Sequence, residues 1–177
     1  MARIRKFCAY RRTERPYTRR SKYREKSFIR VNPQKLIVKF NMGNSKKEFS
    51  HELNLVAKSD YQVRQNAMES ARMVCNRFLE KNLGKNGYYL QVRPYPHHVL
   101  RENPLAAGAG ADRMSTGMKK SFGRAIGSAA RIKQGDILFH VKTNKRNLAV
   151  ATTSLKRASS KLPNSYLIDV KELPKSE

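Results

Sequence analysis

The sequence predicts an α+β fold, a two-layer α/β sandwich of short, mainly antiparallel strands with two helices on one face. A basic N-terminal arm and a long Gly/Ala/Arg-rich loop are expected to extend from it. Several short segments alternate apolar and polar residues, two longer segments repeat apolar residues at helical spacing, and no internal repeat is present. A chain of 177 residues is expected to make a single domain.

The first thirty residues form the predicted arm. They carry twelve cations, two acids and five aromatic residues, with neither helical nor strand periodicity. Such a segment is expected to be disordered alone and to order on RNA, where rings stack on unpaired bases and cations contact phosphates. The arm cations assigned to RNA binding are Arg3, Arg5, Lys6, Arg11, Arg12, Arg15, Arg19, Arg20, Lys22, Arg24 and Arg30.

The predicted domain, residues 31–171, begins with two strands. Residues 34–42 and 48–57 have the composition of strands and are separated by a polar turn. In the second strand, alternate residues from Phe49 onward share one apolar face. That face includes His51, which we interpret as a histidine with satisfied hydrogen bonds rather than a catalytic one.

The first predicted helix begins at Ser59 and ends at Gly84. Ser59 and Gln62 have the spacing of a capping box, and Gly84 supplies a left-handed stop. The predicted buried stripe consists of Val63, Ala67, Ala71, Val74, Cys75 and Phe78. Cys75 is interpreted as a small core residue in a reducing compartment. Four cations lie largely off the stripe, where either solvent or a nucleic-acid backbone could contact them: Arg64, Arg72, Arg77 and Lys81.

Three further strands and a second helix complete the sandwich. They are a strand at 88–96, a strand at 136–142, a helix at 145–162 and a strand at 165–171. Pro163 ends this helix, because proline cannot continue it. Residues 172–177 are expected to form a flexible tail.

The inserted loop, residues 97–135, is the most unusual part of the sequence. Six of the nine glycines fall within residues 108–135, and glycine lets a backbone approach phosphate or ribose because no Cβ intervenes. The cations assigned to RNA binding in and near the loop are Arg93, Arg101, Arg113, Lys119, Lys120, Arg124, Arg131 and Lys133. The tip, residues 105–112, has no cation, which suits a slim element reaching a crowded site. Composition alone also allows a flexible linker.

The charge balance indicates a polyanionic partner. The net charge is +25 and the isoelectric point is near 10.6, and self-repulsion on that scale opposes compaction. Nucleic acid is the first candidate and an anionic membrane surface the second. No apolar run is long enough to span a bilayer, and the start lacks the apolar region of a secretory signal. With only two cysteines, a cytosolic location is expected.

Enzymatic constellations are missing from the sequence. The thirteen carboxylates are spread singly, and neither a G-x-S-x-G elbow nor a phosphate-binding loop occurs. "GAGADR" lacks the third glycine of a dinucleotide fingerprint, and His97 and His98 have no partner at ligand spacing. We therefore predict no catalytic residue, no metal and no cofactor. Two alternatives remain, an RNA-modifying enzyme with a basic arm and a free-standing RNA chaperone or DNA-compacting protein.

Several motifs carry a family resemblance. They are "RPYTRR", "QVRQNAMESARMVCNRFL", "HHVLRENPLAAGAGADR" and "FGRAIGSAAR". Through these motifs, nearly the whole chain resembles the universal ribosomal large-subunit protein sixteen family, in the archaeal and eukaryotic form called L-ten-e. Neither composition nor fold would produce these blocks by chance.

The resemblance implies a structural, RNA-binding role in translation in the cytoplasm. It places the chain in large-subunit rRNA, at the base of the central protuberance beside the A-site cleft, supporting tRNA accommodation and late subunit assembly. The implied partners are rRNA, tRNA in the A and P sites, neighbouring ribosomal proteins and late assembly factors. The loop implied to reach toward the peptidyl transferase centre and the P-site tRNA acceptor end is Leu105, Ala106, Ala107, Gly108, Ala109, Gly110, Ala111 and Asp112.

Overall fold

The computed structural model describes residues 6–11, 23, 25, 32–102 and 124–174. In chain order its strands are β1 (Asn41–Gly43), β2 (His51–Ala57), β3 (Tyr61–Arg64), β4 (Tyr88–Val92), β5 (His98–Glu102), β6 (Arg124–Ile132), β7 (Ile137–Thr143) and β8 (Tyr166–Glu172). The described helices are α1 (Gln65–Leu83) and α2 (Leu148–Ser159). All described strand pairs are antiparallel, so the mixed α/β class with two helices and antiparallel sheets is confirmed.

A five-stranded sheet forms the main layer, in the order β1-β4-β7-β2-β8. Leu53 is opposite Val141 in the register, and Val141 is opposite Leu90, so the three side chains form one row across the sheet. All three are fully buried in the core that the sheet shares with both helices. Within the described residues, no helix is both long and apolar enough to cross a membrane.

The helices bury narrow stripes against this core. α1 buries Gln65, Met68, Ala71, Cys75 and Leu79. α2 buries Ala151, Ser154, Leu155 and Ala158. The predicted end of α1 is confirmed, because Gly84 follows it with a φ of 66°, a left-handed conformation that glycine adopts without strain.

The predicted beginning of α1 is wrong. Tyr61–Arg64 form β3, and the helix starts at Gln65 with no side-chain cap. The capping box of Ser59 and Gln62 does not form, because Gln62 pairs with Arg131 in a sheet. The buried stripe shifts with the new start, and three of its predicted members are only half-buried: Ala67, Val74 and Phe78.

A second sheet, absent from the sequence prediction, has the order β3-β6-β5. One of its faces joins the main core through Val63, Ala130 and Ile132. β5 and β6 come from the segment interpreted as an inserted loop, so residues 97–135 are in part sheet rather than loop. Small residues dominate β6, and they hide the apolar alternation that identifies a strand.

An extended segment, residues 32–40, connects the two sheets where a longer first strand was predicted. The Lys35 ammonium donates hydrogen bonds to the Pro96 carbonyl oxygen at 2.8 Å and to Ser128 Oγ at 2.9 Å. The Gln65 side chain donates to the Gln34 carbonyl oxygen at 3.0 Å. Burial lowers the pKa of Lys35. We conclude that Lys35 fastens this segment to the second sheet.

The interpretation of His51 is confirmed. Its side chain is buried, its Nδ1 lies 2.8 Å from Ser50 Oγ, and its Nε2 lies 3.2 Å from Glu172 Oε1. Glu172 belongs to β8, and the N–H of Leu173 donates to the Ser50 carbonyl oxygen at 2.9 Å. Ordered pairing therefore continues past residue 171, where the tail was expected to begin.

Candidate nucleic-acid interface

The structure describes seven of the cations assigned to rRNA binding. They are Lys6, Arg11, Arg93, Arg101, Arg124, Arg131 and Lys133. The others lie outside the described residues, as does the tip at 105–112: Arg3, Arg5, Arg12, Arg15, Arg19, Arg20, Lys22, Arg24, Arg30, Arg113, Lys119 and Lys120.

The strand register of the second sheet places basic and polar side chains on the face turned away from the main core. Gln62 is opposite Arg131, and Ala129 is opposite both Arg64 and His98. Directly opposite residues share a face, and alternate residues of one strand share it too. These residues therefore form one surface, which we call the outer face of the second sheet.

Tyr10 docks the N-terminal arm on this outer face. Tyr10 is only 4% exposed and packs against Leu100 and Ala129. Its carbonyl oxygen accepts a hydrogen bond from the Gln62 side-chain amide. The sequence prediction gave the arm no share in a core, but this apolar patch holds one turn of it in place.

Gln62 organises the polar contacts at the centre of the outer face. Its side-chain oxygen lies 2.7 Å from Nδ1 of His98, and its backbone N–H donates to the Arg11 carbonyl oxygen at 3.3 Å. Because Gln62 also pairs with Arg131, it lies between the backbone of Arg11, at the free edge of β3, and that of Arg131 on β6. A buried and bonded amide of this kind fixes the register of the segments that it joins.

Arg64 was not among the residues assigned to rRNA binding, but it lies on the same face. Its guanidinium carbon is 5.8 Å from the centroid of the Tyr10 ring, within the range of a cation–π contact. Tyr10, Gln62 and His98 were missed as well. The one available signal was Tyr10 itself, an aromatic residue among cations, because strand register cannot be deduced from a segment mistaken for a helix.

Most of the remaining described cations are not brought onto the outer face. Arg101 follows Leu100 across a register shift and alternates to the opposite side of β5. Arg93 follows β4 of the main sheet, where its N–H donates to the Leu138 carbonyl oxygen at 3.0 Å. Lys6 and Lys133 are exposed at other places. Arg124 is exposed and is opposite Glu102, four residues after His98 on β5, so the register places it at the far end of the outer face.

The two neighbouring histidines have ordinary structural surroundings. His98 is buried on Gln62, whereas His97 is exposed with its ring centroid 4.5 Å from that of Tyr95. Among the residues that the structure describes, no group of three His, Cys, Asp or Glu side chains could hold a metal ion.

The outer face has the chemistry of a phosphate-binding surface. Arginine offers a planar fork of N–H donors that matches the oxygens of a phosphate. Tyr10 and Gln62 fix the backbone of Arg11 at the edge of β3 before any ligand arrives, which reduces the entropy lost on binding.

Comparison with known proteins gives consistent matches over most of the chain. Residues 13–168 match the family model described as Ribosomal protein L16p/L10e. The chain is 44% identical to large ribosomal subunit protein uL16 of Methanococcus maripaludis strain C7, over 86% of this chain and 88% of that protein. It is 45% identical to the uL16 of Staphylothermus marinus, over 84% and 82%. For the uL16 of Archaeoglobus fulgidus the identity is 40%, over 92% and 90%.

Proposed function

The chain belongs to the ribosomal protein L16p/L10e family, and from that premise we propose how it contacts RNA in the large ribosomal subunit. It is a structural ribosomal protein of the cytoplasmic ribosome, it acts in translation, and it is not an enzyme. Its partners are rRNA and neighbouring ribosomal proteins. This membership argues against both alternatives, the RNA-modifying enzyme and the free-standing chaperone or DNA-compacting protein.

We propose that the outer face of the second sheet binds large-subunit rRNA. The observation that carries this proposal is the docking of Tyr10, which joins the start of the basic arm to the sheet, with the Arg11 backbone bonded to Gln62 and the Arg64 guanidinium over the Tyr10 ring. The net charge of +25 supplies the general attraction to a polyanion. The docked arginines give that attraction a fixed place, since guanidinium groups bind phosphate with defined geometry.

The finer part of the proposal concerns the loop tip, residues 105–112. The strands on either side of the loop support it, because Glu102 at the end of β5 is opposite Arg124 at the start of β6. The loop therefore begins and ends at the same end of the second sheet, the sheet that carries the proposed interface. We propose that the tip reaches toward the peptidyl transferase centre and P-site tRNA. On this proposal the chain lies near the A-site cleft and the central protuberance, supports tRNA accommodation and contacts late assembly factors.

A charge-removal experiment tests the rRNA interface. The variant Arg11→Gln/Arg64→Gln/Arg131→Gln removes three charges from the outer face, and Lys39→Gln/Lys46→Gln/Lys171→Gln removes three exposed charges elsewhere. Binding of each protein to purified large-subunit rRNA is measured over a series of salt concentrations. Each lost phosphate contact lowers the log–log slope by about 0.7 to 0.9, so the first variant should lose about 2. Equal slopes in the two variants would contradict the proposal.

Deletion of Ala106–Ala111 tests the role of the tip separately. Because the tip carries no cation, the shortened protein should enter large subunits as the full chain does, while translation by those subunits is impaired. Incorporation is measured by sedimentation and translation by peptide synthesis in a reconstituted system. Loss of incorporation would show that the tip contributes to RNA binding.

A further inference from the structure

The last strand of the main sheet, β8, leaves one edge of that sheet open. It pairs with β2 on one side and ends the strand order, and all seven of its residues are in register with β2 without a bulge. The opposite edge is much shorter, because β1 contributes three residues. An open strand of this length is a template for pairing with another extended segment. Within the described residues, no further strand pairs with it.

The hydrogen-bond pattern shows which backbone groups of β8 point outward. The N–H of Leu173 donates to the Ser50 carbonyl oxygen, and in an antiparallel pair the residues that bond to the partner strand alternate with residues that do not. Leu167, Asp169 and Lys171 therefore bond to β2. The residues that direct their N–H and carbonyl groups away from β2 are Tyr166, Ile168, Val170 and Glu172. This open ladder spans about 20 Å, at about 3.4 Å per residue.

β8 also exposes apolar side chains on both of its faces. Leu167 is 55% exposed and Val170 is 47% exposed, and because three positions separate them they lie on opposite faces of the strand. Leu167 is opposite Val56, which is opposite Ile137, so these aliphatic residues form a row on the sheet face turned away from the helices. A strand added beside β8 would cover Leu167 and Val170, since side chains of adjacent strands lie about 5 Å apart.

The charge of β8 contrasts with that of the whole chain. One cation, Lys171, and two acids, Asp169 and Glu172, give the strand a net charge of −1, whereas the chain carries +25. Lys171 Nζ lies 3.4 Å from Asp169 Oδ2, so the cation of the strand is paired with a carboxylate. The Glu172 side chain is largely exposed. Exposed carboxylates repel phosphate, so this edge lacks the chemistry of an RNA interface.

We propose that β8 binds an extended, basic segment of a neighbouring ribosomal protein, which adds a sixth strand to the main sheet. Aliphatic side chains of that segment pack beside Leu167 and Val170, and its lysine or arginine side chains pair with Asp169 and Glu172. In strand addition the main-chain hydrogen bonds supply affinity, and the side chains between them supply specificity. This proposal does not depend on the RNA interface at the second sheet, because family membership alone makes ribosomal proteins partners of the chain.

Two other occupants fit the edge less well. A second copy of the chain would bring another net charge of +25, and repulsion between the copies opposes such a dimer. An RNA backbone presents acceptors alone, whereas the open edge alternates N–H donors with carbonyl acceptors and carries two carboxylates. A basic protein strand matches both the ladder and the charge.

Site-specific photocrosslinking in assembled large subunits tests which molecule lies on β8. The crosslinker p-benzoylphenylalanine replaces Leu167 in one variant and Val38, an exposed aliphatic residue of the segment between the sheets, in the other. We expect position 167 to crosslink one ribosomal protein at a single short peptide, identified by mass spectrometry, and position 38 not to label that peptide. Crosslinks at position 167 to rRNA, to this chain itself or to nothing would overturn the proposal.

Val170→Pro tests the backbone pairing. The N–H of Val170 points away from β2, so proline removes one outward donor and leaves the pairing with β2 in place, as prolines on edge strands do. Combined with the crosslinker at position 167, this variant should enter large subunits and lose the protein crosslink. Val170→Thr keeps the N–H and the branched side chain, and it should retain the crosslink. Equal crosslinking in the two variants would contradict strand addition.

A charge inserted at the edge provides a second readout if proline perturbs folding. Val170→Lys leaves the backbone unchanged, and a lysine on an edge strand opposes the addition of another strand. It should remove most of the crosslink from position 167, whereas Val38→Lys, which adds the same charge at an aliphatic position elsewhere, should leave the yield unchanged. Equal yields in these two variants would overturn the proposal.

Discussion

Buried polar residues in the main sheet are each provided with partners. His140 lies on the sheet face opposite the helices, with its Nδ1 3.0 Å from Asn54 Oδ1 and 3.3 Å from Glu52 Oε1. Asn54 in turn donates to Glu52 at 2.6 Å. Burial lowers the pKa of His140, Glu52 acts to raise it, and Lys142 and Arg93 lower it further. The net direction is downward, so the fold favours the neutral imidazole.

This direction predicts a pH dependence of stability. The unfolded chain, with a histidine pKa near 6.5, takes up a proton more readily than the folded chain. The contribution of His140 is therefore complete above that pH and is lost as the pH falls through the lower folded value. In His140→Gln, the free energy of unfolding should fall less between about pH 7.5 and about pH 5 than in the unchanged chain. Urea denaturation at the two pH values measures this, and identical falls would contradict it.

The two cysteines should differ sharply in reactivity. Cys8 is exposed, whereas Cys75 is buried, and burial raises the pKa of the Cys75 thiol to about 12. Because the thiolate is the reactive form, the native protein should consume one equivalent of a thiol reagent and the denatured protein two. Cys8→Ser should abolish the native reaction. Two rapid equivalents in the native state would show that the helix pair opens readily.

Several elements could be predicted from sequence alone, and the reason differs from one to the next. β2, β4, β7 and β8 alternate bulky apolar residues, which identifies a strand without any neighbour. The sequence predicts a helix over Tyr61–Arg64, because the spacing of these residues fits a helix as well as a strand. Only their pairing with β6 makes them a strand. β6 buries Gly, Ser and Ala, whose small size leaves little alternation to detect. Local sequence patterns therefore predict the main sheet, whereas the second sheet depends on pairing between segments that are distant in the sequence.

The same limit explains what could be predicted of the interface. Charge alone indicates the class of partner and includes Arg11 and Arg131 among the candidate contacts. Composition gives the sign of the electrostatic potential but not the positions of the charged groups. It left Arg64 open between solvent and a nucleic-acid backbone, because the place of Arg64 depends on its pairing with Ala129. It also grouped Arg93 and Arg101 with residues that the fold directs elsewhere. Proximity in a sheet made of distant segments is not encoded in any one of them.

The last residue of β1, Gly43, supplies a test at the scale of an element. Gly43 has a φ of 83°, and a Cβ there would lie 2.2 Å from the Tyr88 carbonyl oxygen. That oxygen is fixed, because it accepts a hydrogen bond from the N–H of Asn44 at 3.0 Å. Gly43→Ala should cost about 3 kcal/mol or more in unfolding free energy, from steric overlap added to strain at positive φ.

Gly84→Ala is the matched control for that substitution. Gly84 also has positive φ, at 66°, but a Cβ there meets no described atom within 4 Å. Only the conformational strain remains, so we expect a loss of about 1 kcal/mol. Denaturant unfolding compares the two. Similar losses would show that the Gly43 turn relaxes away from Tyr88.

At the scale of the whole molecule, charge and compactness oppose each other. Each sheet is assembled from separated parts of the chain, and the described residues form one continuous core through both sheets and both helices. Around this core the chain carries a net charge of +25. Repulsion among these charges destabilises the compact state, and bound RNA would remove it.

Salt should therefore have opposite effects on the free and the RNA-bound protein. Raising sodium chloride from about 0.05 M to about 0.5 M screens repulsion over distances above a few ångströms, so the melting temperature of the free chain should rise. The stabilisation conferred by rRNA should shrink over the same range, because counterion release weakens with salt. Thermal unfolding with and without rRNA checks both trends. A free chain insensitive to salt would contradict the first.

The pairing of Glu102 with Arg124 also bounds how far the tip can travel. The segment 103–123 begins and ends beside this pair, so only about half of its 21 residues can extend away from the sheet. A fully extended chain advances about 3.3 Å per residue, which limits the tip to about 35 Å from the sheet edge. The length of this segment therefore sets the greatest distance that the tip can reach. Inserting or removing residue pairs in this segment should increase or decrease that distance while leaving the two sheets and their core unchanged.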